Sequence, residues 1–151
     1  MAQATKALPG EGGLHVTLVT PTGAIASERT DAVIAPGEMG EFEVLPGHIP
    51  FLTELHPGVL TIGENRAKKM YAVGIGFLEV SPKAEVRILV ERAIAADKVD
   101  PAAAKAELDD AARLLASWTE GPTPDWYTLR ARQAWAQAQL DARKLSGAAG
   151  K

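Results

Sequence analysis

The sequence predicts an α+β protein that is mainly β: an N-terminal β-sandwich of about ten short antiparallel strands, followed by a C-terminal antiparallel two-helix hairpin. Three observations support this prediction. Gly or Pro interrupts the chain every few residues up to about Ala95, no helix-forming stretch occurs before residue 100, and the chain after Asp100 is rich in Ala. Closely spaced turns favour an antiparallel sandwich, because parallel sheets need crossover helices between their strands.

The strands are expected where short runs of apolar and β-branched residues lie between turn residues. Such turns include Pro21-Thr22-Gly23, Pro46-Gly47 and Ser81-Pro82-Lys83. The expected strands are 14–20, 24–27, 31–35, 41–45, 51–55, 59–62, 69–73, 76–80 and 85–90. We therefore place a β-sandwich domain at residues 1–97, in which residues 1–13 form a flexible N-terminus.

The remaining residues, 98–151, are expected to form the helical hairpin. Asp100-Pro101 predicts a helix start, because an Asp side chain accepts N–H hydrogen bonds at an N-cap and Pro fits the first helical position. Thr123-Pro124 repeats this pattern after the helix-breaking Gly121-Pro122. The expected helices are about 101–118 and 124–145, the second ending at Ser146-Gly147. Their apolar stripes are mostly Ala, so the hairpin should be only weakly held against its neighbours.

The composition excludes several classes of protein. The chain of 151 residues has no Cys, which excludes a disulfide framework, a thiolate zinc site and a Cys nucleophile. Its formal net charge is −3, so bulk charge does not predict nucleic-acid binding. No apolar run approaches the roughly 20 residues that span a bilayer, and the N-terminus lacks the apolar core of a signal peptide. We expect a protein that is soluble and cytosolic, or held at a membrane only by a partner.

Motifs that carry catalytic chemistry are sparse. The three His residues have no second His or carboxylate at a metal-ligand spacing, and no Ser lies in a nucleophile elbow. Gly74-Ile75-Gly76 lacks the third Gly and the following helix of a dinucleotide-binding loop. The sequence therefore predicts no metal, no cofactor and no enzyme acting alone.

Three motifs occur in order along the β part. They are VIAPGEMGEFEVLPGHIPFLT at residues 33–53, LHPGVLTI at 55–62 and YAVGIGFLEV at 71–80. With the length of the chain, and with a β domain followed by a helical hairpin, they resemble the epsilon subunit of F-type (proton-translocating) ATP synthases. The resemblance covers about residues 14–145.

The resemblance implies a non-catalytic subunit of the central stalk, or rotor. In that family the β-sandwich binds the gamma subunit and the c-ring, and helps couple proton-driven rotation to ATP synthesis. The hairpin folds against the sandwich, or extends into the alpha/beta catalytic head and inhibits ATP hydrolysis. The resemblance also implies a peripheral position on the cytoplasmic face of the bacterial inner membrane. We expect no nucleic-acid partner, from the net charge, and no direct membrane insertion, because no apolar run is long enough.

Only a few functional residues of that family can be matched to individual positions of this sequence. Glu41 and His48 match the family residues that face the c-ring. For His48, closure of the Pro46-Gly47 turn is an equally good explanation. The cations of the second helix are candidates to meet acidic segments of the head when the hairpin extends: Arg130, Arg132, Arg143 and Lys144. The charge of residues 124–151, with five Lys/Arg and two Asp/Glu, supports these candidates. A solvated face is an equally good explanation of them.

A nucleotide site is the weakest of these candidates. Some family members bind ATP through a motif in which Asp100 matches the Asp, but Ala103 stands where the family has Arg. Without that guanidinium a phosphate partner is missing. The alternative function is a stand-alone β-sandwich module that binds a ligand or senses a nucleotide. An apolar ligand pocket would have few aromatic residues available, because residues 1–95 hold only Phe42, Phe51, Tyr71 and Phe77.

Overall fold

The computed structural model describes residues 12–149, so the expected flexible segment 1–13 lies almost entirely outside the described residues. Ten strands precede two helices. The strands are β1 Leu14–Thr20, β2 Gly23–Thr30, β3 Val33–Gly37, β4 Gly40–Val44, β5 Phe51–Leu55, β6 Gly58–Ile62, β7 Lys69–Val73, β8 Gly76–Val80, β9 Glu85–Val90 and β10 Ala93–Ala95. The helices are α1 Pro101–Ala116 and α2 Pro124–Ala149. Short 3-10 turns occupy Asn65–Ala67 and Ala96–Lys98.

The strands pair in the order β10-β7-β6-β3-β5-β8-β9-β1-β2, and β4 pairs with β3. A single residue pair, Gly37 with Leu55, joins β3 to β5, so the sheet folds over at this point into two layers. The first layer contains β10, β7, β6, β3 and β4, and the second contains β5, β8, β9, β1 and β2. The predicted fold class, a β-sandwich followed by two helices, is confirmed.

One strand pair departs from the antiparallel pattern. β1 and β9 run parallel, with His15 opposite Glu85 and Val19 opposite Leu89. No crossover helix is needed, because most of the domain separates these two strands along the chain and supplies the connection. The pairing places the first strand of the domain next to one of its last, which ties the two ends of the sandwich together.

The main core lies between the two layers. Alternate residues of β1 point into it, with Leu14, Val16 and Leu18 buried and His15 exposed. The same alternation occurs in β9, where Val86, Ile88 and Val90 are buried. Period-two alternation follows from strand geometry, since successive side chains point to opposite faces of the sheet.

A second, smaller core joins α2 to the outer face of the first layer. Ala138 and Ala142 of α2 pack on Val59 of β6 and Ala72 of β7. Trp135 and Met70 pack at the edge of this cluster. Because most of these side chains are small, the buried apolar area is small, as the sequence predicted.

Local sequence sets the helix ends. Asp100 is the N-cap of α1, and its Oδ1 accepts hydrogen bonds from the N–H groups of Ala102 at 3.0 Å and Ala103 at 3.2 Å. The first helix ends at Ala116. The second helix begins at Pro124, as expected, but continues through Ser146-Gly147 to Ala149. A Gly inside a helix costs only about 1 kcal/mol, and two Ala residues follow it, so this pair does not end the helix.

Candidate protein interaction surfaces

Glu41 and His48 lie at one end of the sandwich, in the segment that connects β3, β4 and β5. Glu41 is an exposed residue of β4, opposite Pro36 in β3. His48 is also exposed, and its backbone N–H donates a hydrogen bond to the carbonyl oxygen of Leu45 at 3.0 Å, which closes a tight turn. Gly47 precedes it with φ +89°, a backbone conformation that favours Gly.

Two aromatic side chains pack beside His48. The His48 ring lies 4.7 Å from the ring of Phe51, and Phe51 meets Phe42 edge-on at 5.8 Å between ring centres. Phe42 directly follows Glu41 in β4. His48 Nδ1 lies 2.8 Å from the carbonyl oxygen of Ile49, which further restrains the imidazole. The packing therefore supports the segment that carries His48, whereas the exposed Glu41 side chain points to the opposite face of β4 from Phe42.

Exposed apolar side chains surround these polar groups. Met39 is 98% exposed and Ile49 is 73% exposed, and Leu45 lies between them in the same segment. We call residues 38–50 the loop surface. Sequence reasoning did not single out these apolar residues, although their position beside turn-forming Gly and Pro was an available signal. Exposed apolar residues mixed with charges are typical of a protein interaction site rather than a catalytic one.

A second exposed apolar region lies on the outer face of the second layer. Phe77 of β8 pairs with Leu89 of β9, and Leu89 pairs with Val19 of β1, which makes a row across three strands. Leu52 of β5 is 68% exposed near this row. Ile75 and Phe77 also line a groove of about 430 Å³ beside the row. We call Leu52, Ile75, Phe77 and Leu89 the outer sheet face.

The four cations of α2 fall into different environments. Arg132 is half-buried, and its Nε lies 2.6 Å from Glu107 Oε1 while its Nη2 lies 3.1 Å from Asp110 Oδ2, both in α1. The hydrogen bond from Arg132 holds the pKa of Glu107 below its ordinary value. Asp110 also has a lowered pKa, mainly through its hydrogen bond from Arg113 and then through Arg132.

The other three cations are more accessible. Arg143 donates through Nη1 to the carbonyl oxygen of Asp97 at 3.2 Å, which links α2 to the end of the sandwich. Arg130 lies 5.6 Å from the Trp126 ring centre at the other end of α2. Lys144 is exposed and forms no ion pair within residues 12–149. The docked hairpin therefore presents Arg130 and Lys144 to solvent and engages Arg132 and Arg143.

The region around Asp100 serves the helix start. Its carboxylate caps α1, and Ala103 contributes a backbone N–H and a methyl group there. Within residues 12–149, no group of three or more His, Asp or Glu side chains is placed to hold a metal ion. Neither described helix combines the length and the apolarity needed to cross a membrane.

Known proteins resemble this chain in sequence and in fold. Residues 13–96 match the family model of the β-sandwich domain of the ATP synthase delta/epsilon chain. The chain belongs to the ATP synthase epsilon chain family. The epsilon chain of Magnetococcus marinus is 40% identical over 129 residues, which cover 85% of this chain and 93% of the relative. The epsilon chain of Geobacter metallireducens is 39% identical over 89% of this chain and 94% of the relative.

Solved structures share the fold of this epsilon-family chain at low sequence identity. One is a chain of the Euglena gracilis mitochondrial ATP synthase, in a structure of its OSCP, F1 and c-ring, with a TM-score of 0.66 and 22% identity. That match covers 93% of this chain and 82% of the other. A second is a chain of the Tetrahymena thermophila mitochondrial ATP synthase, described as central stalk and c-ring. Its TM-score is 0.61 at 18% identity, over 87% of this chain and 96% of the other.

The family model spans both exposed apolar regions of the sandwich. The loop surface and the outer sheet face lie inside residues 13–96, whereas α1 and α2 lie beyond them. The alignments with the Magnetococcus and Geobacter epsilon chains extend further than the family model, because they cover 85% and 89% of the chain. The sandwich is thus the part for which the epsilon family assignment is most direct.

Proposed function

We propose that this chain is a non-catalytic rotor subunit of the ATP synthase central stalk, and that its sandwich binds the gamma subunit and the c-ring. One observation carries the proposal: most of the large exposed apolar side chains of the sandwich fall in the loop surface or the outer sheet face. An enzyme site needs converging polar groups, whereas a subunit that transmits torque needs two surfaces for two partners. The family membership supports this proposal.

The loop surface is the proposed contact with the c-ring. Glu41 and His48 supply a carboxylate and an imidazole to the polar loops of the ring, and Met39 and Ile49 supply apolar contact area. The tilted contact of the His48 ring with Phe51 restrains this segment before the partner binds. Preorganisation of this kind lowers the entropy lost on binding. In this arrangement the chain is peripheral, on the cytoplasmic face of a bacterial inner membrane.

The outer sheet face is the proposed contact with gamma. The opposite layer is already covered by α2, so the second layer is the sandwich face that the chain leaves bare within its described residues. Phe77 is a suitable anchor, because rigid aromatic side chains carry much of the binding energy at protein interfaces. Its neighbour Leu89 extends the apolar row across the sheet.

The hairpin is the proposed inhibitor of ATP hydrolysis. Its contact with the sandwich is made mainly of Ala side chains, so release costs little compared with opening the main core. After release, Arg130, Arg143 and Lys144 would be available to acidic segments of the alpha/beta head. Exposed ion pairs contribute about 0–1 kcal/mol each, so inhibition would depend on several contacts. The N-cap role of Asp100 accounts for that residue without a nucleotide.

A capture experiment tests the rotor assignment. Chain tagged at its N-terminus is incubated with ATP synthase stripped of its epsilon subunit, and bound subunits are identified by mass spectrometry. We expect the wild-type chain to recover gamma and the c-ring. The double variant Phe77→Ser with Leu89→Ser should no longer recover gamma. Leu145→Ser is the matched control, since Leu145 is also an exposed apolar residue but lies on α2. Recovery of no synthase subunit by the folded wild-type chain would favour a stand-alone binding module.

A further inference from the structure

The polar contact between the two helices depends on one residue. Both ion pairs that cross from α2 to α1 within the described residues involve Arg132, which bridges Glu107 and Asp110. The buried side chains of the interhelical region are otherwise small, with Ala104 and Ala111 in α1. Small side chains allow close approach but specify the pairing poorly. Arg132 is therefore the strongest polar element that holds the hairpin closed.

The contact between α2 and the sandwich uses different residues. Trp135 lies under the guanidinium of Arg92, and Arg143 donates to the carbonyl of Asp97. Ala138 and Ala142 fill the space between these two points. Closing of the hairpin therefore depends mainly on Arg132 and its two carboxylates, and docking mainly on Trp135 and Arg143. Arg92 connects the two sets, because its charge also helps to lower the pKa of Glu107.

When the Arg132 side chain of α2 separates from α1, two carboxylates remain on α1, one helical turn apart. Asp110 keeps its ion pair with Arg113, whereas Glu107 keeps no ion pair with another described residue. Like charges at this spacing repel each other. An acidic surface outside the hairpin would offer Arg132 the same chemistry that Glu107 and Asp110 offer, so the two sets of carboxylates would compete for one guanidinium.

We propose that Glu107 and Asp110 form a clasp that withholds Arg132 from acidic segments of the alpha/beta head, and that the head gains Arg132 only when α1 and α2 part. This proposal rests on the proposed inhibitory function and adds the residues that regulate it. The clasp makes Arg132 different from Arg130, which is on the same helix but forms no hydrogen bond or ion pair with α1 among the described side chains.

Spin-label distances in the free, full-length chain test the clasp directly. The chain has no Cys, so labels can be attached at Ala106→Cys in α1 and Gln137→Cys in α2 without removing native thiols. We expect a single short distance in the parent. Two variants should each add a longer distance and raise the ratio of open to closed hairpin about two- to fivefold. They are Arg132→Gln and the double variant Glu107→Gln with Asp110→Asn. Arg130→Gln is the matched control and should leave the distribution unchanged.

Hydrolysis by the reconstituted complex then separates a clasp from simple structural support. Glu107→Gln with Asp110→Asn frees Arg132 and should strengthen inhibition, whereas Arg132→Gln opens the hairpin but removes the cation and should weaken it. A role limited to hairpin stability would move both variants in the same direction, and that result would overturn the proposal. Unchanged distances in both variants would also overturn it.

The two proposals can fail separately. If the wild-type chain and a chain truncated after Asp97 support equal rates of hydrolysis, the inhibitory function is wrong and so is the delivery of Arg132 to the head. The distance measurement does not depend on the complex. It would still establish whether Glu107 and Asp110 keep the free hairpin closed.

Discussion

The guanidinium carbon of Arg92 lies 4.9 Å from the ring centre of Trp135. Arg92 follows β9, and Trp135 is in the middle of α2, so this cation–π contact joins the sandwich to the helical hairpin. Trp135 also packs at the edge of the small cluster that contains Ala138 and Ala142. The contact adds a large side chain and a charge to an interface whose buried residues from α2 are Ala138 and Ala142.

Trp135→Ala should release α2 from the sandwich. The substitution removes the cation–π contact and the largest side chain at this interface, which together should weaken docking by about 1–3 kcal/mol. The distance between spin labels at Glu64→Cys and Gln137→Cys would lengthen. Trp126→Ala is the control, because Trp126 lies near the start of α2 and packs on Tyr127 and Arg130. Equal distances in the two variants would show that Trp135 does not hold the helix.

Gly76→Ala should destabilise the sandwich. A Cβ at this position would lie 2.0 Å from the carbonyl oxygen of Leu89 and 2.7 Å from the Cα of Val90, and both are backbone atoms that cannot rotate away. We expect a loss of about 2–3 kcal/mol in the free energy of unfolding, measured in urea. Gly121→Ala should change it by less than about 0.5 kcal/mol, because nothing lies within 4 Å of the added methyl group.

Acid should open the hairpin. The hydrogen bond from Arg132 lowers the pKa of Glu107, so ionised Glu107 stabilises the closed hairpin at pH values above its ordinary pKa of 4.5, and this contribution is lost as the pH falls through the lowered pKa. Asp110 contributes less to closing, because its pKa is lowered first by Arg113, which lies in α1 itself, and only then by Arg132. The open fraction should therefore be constant from about pH 8 to 5.5 and rise below that range. Arg132→Gln should remove most of the pH dependence from Glu107. An open fraction that rises toward high pH would contradict this assignment.

Glu41→Ala and His48→Ala should impair coupling without unfolding the chain. Both side chains are exposed, so each substitution should change the free energy of unfolding by less than about 0.5 kcal/mol. We expect reduced ATP-driven proton pumping by the reconstituted complex, because the loop surface would lose the polar contacts that we propose it makes to the c-ring. Glu64→Ala, another exposed carboxylate outside the loop surface, serves as control. Normal pumping with both loop variants would refute the ring-facing assignment.

Truncation after Asp97 should raise ATP hydrolysis by the assembled complex. The main core lies between the two sheet layers and contains no residue of either helix, so the sandwich should keep its fold. Gamma binding by the truncated chain, compared with the full chain, controls for assembly. A hydrolysis rate identical to that of the full-length chain would show that the hairpin does not inhibit.

Several elements were predictable from local sequence alone. The expected strands 14–20, 51–55, 69–73, 76–80 and 85–90 have the bounds seen in the structure, because turn residues on both sides delimit them. The N-cap role of Asp100 was also predicted and is confirmed. β10 was not among the expected strands, since Ala-Ile-Ala is short and a poor strand former. Its pairing with β7 determines its conformation.

The candidate interaction surfaces were only partly predictable. Motif resemblance singled out Glu41 and His48 as candidates. The exposure of Leu52 depends on which face β5 presents to the other layer, and that of Met39 and Ile49 on how the connections on either side of β4 project from the sandwich. The same limit applies to Arg132. Sequence placed it among four similar cations of α2, and only the packing of α1 beside α2 showed that Glu107 and Asp110 engage it.

The sequence by itself thus determined the order and most bounds of the strands, the helix starts and the family, because each depends on neighbouring residues or on a short motif. The tertiary structure decided the parallel pairing of β1 with β9, the sheet face that α2 covers and the partners of the α2 cations. These features depend on residues far apart in the chain. Their contacts form only when the two layers and the hairpin pack together, so no local pattern records them.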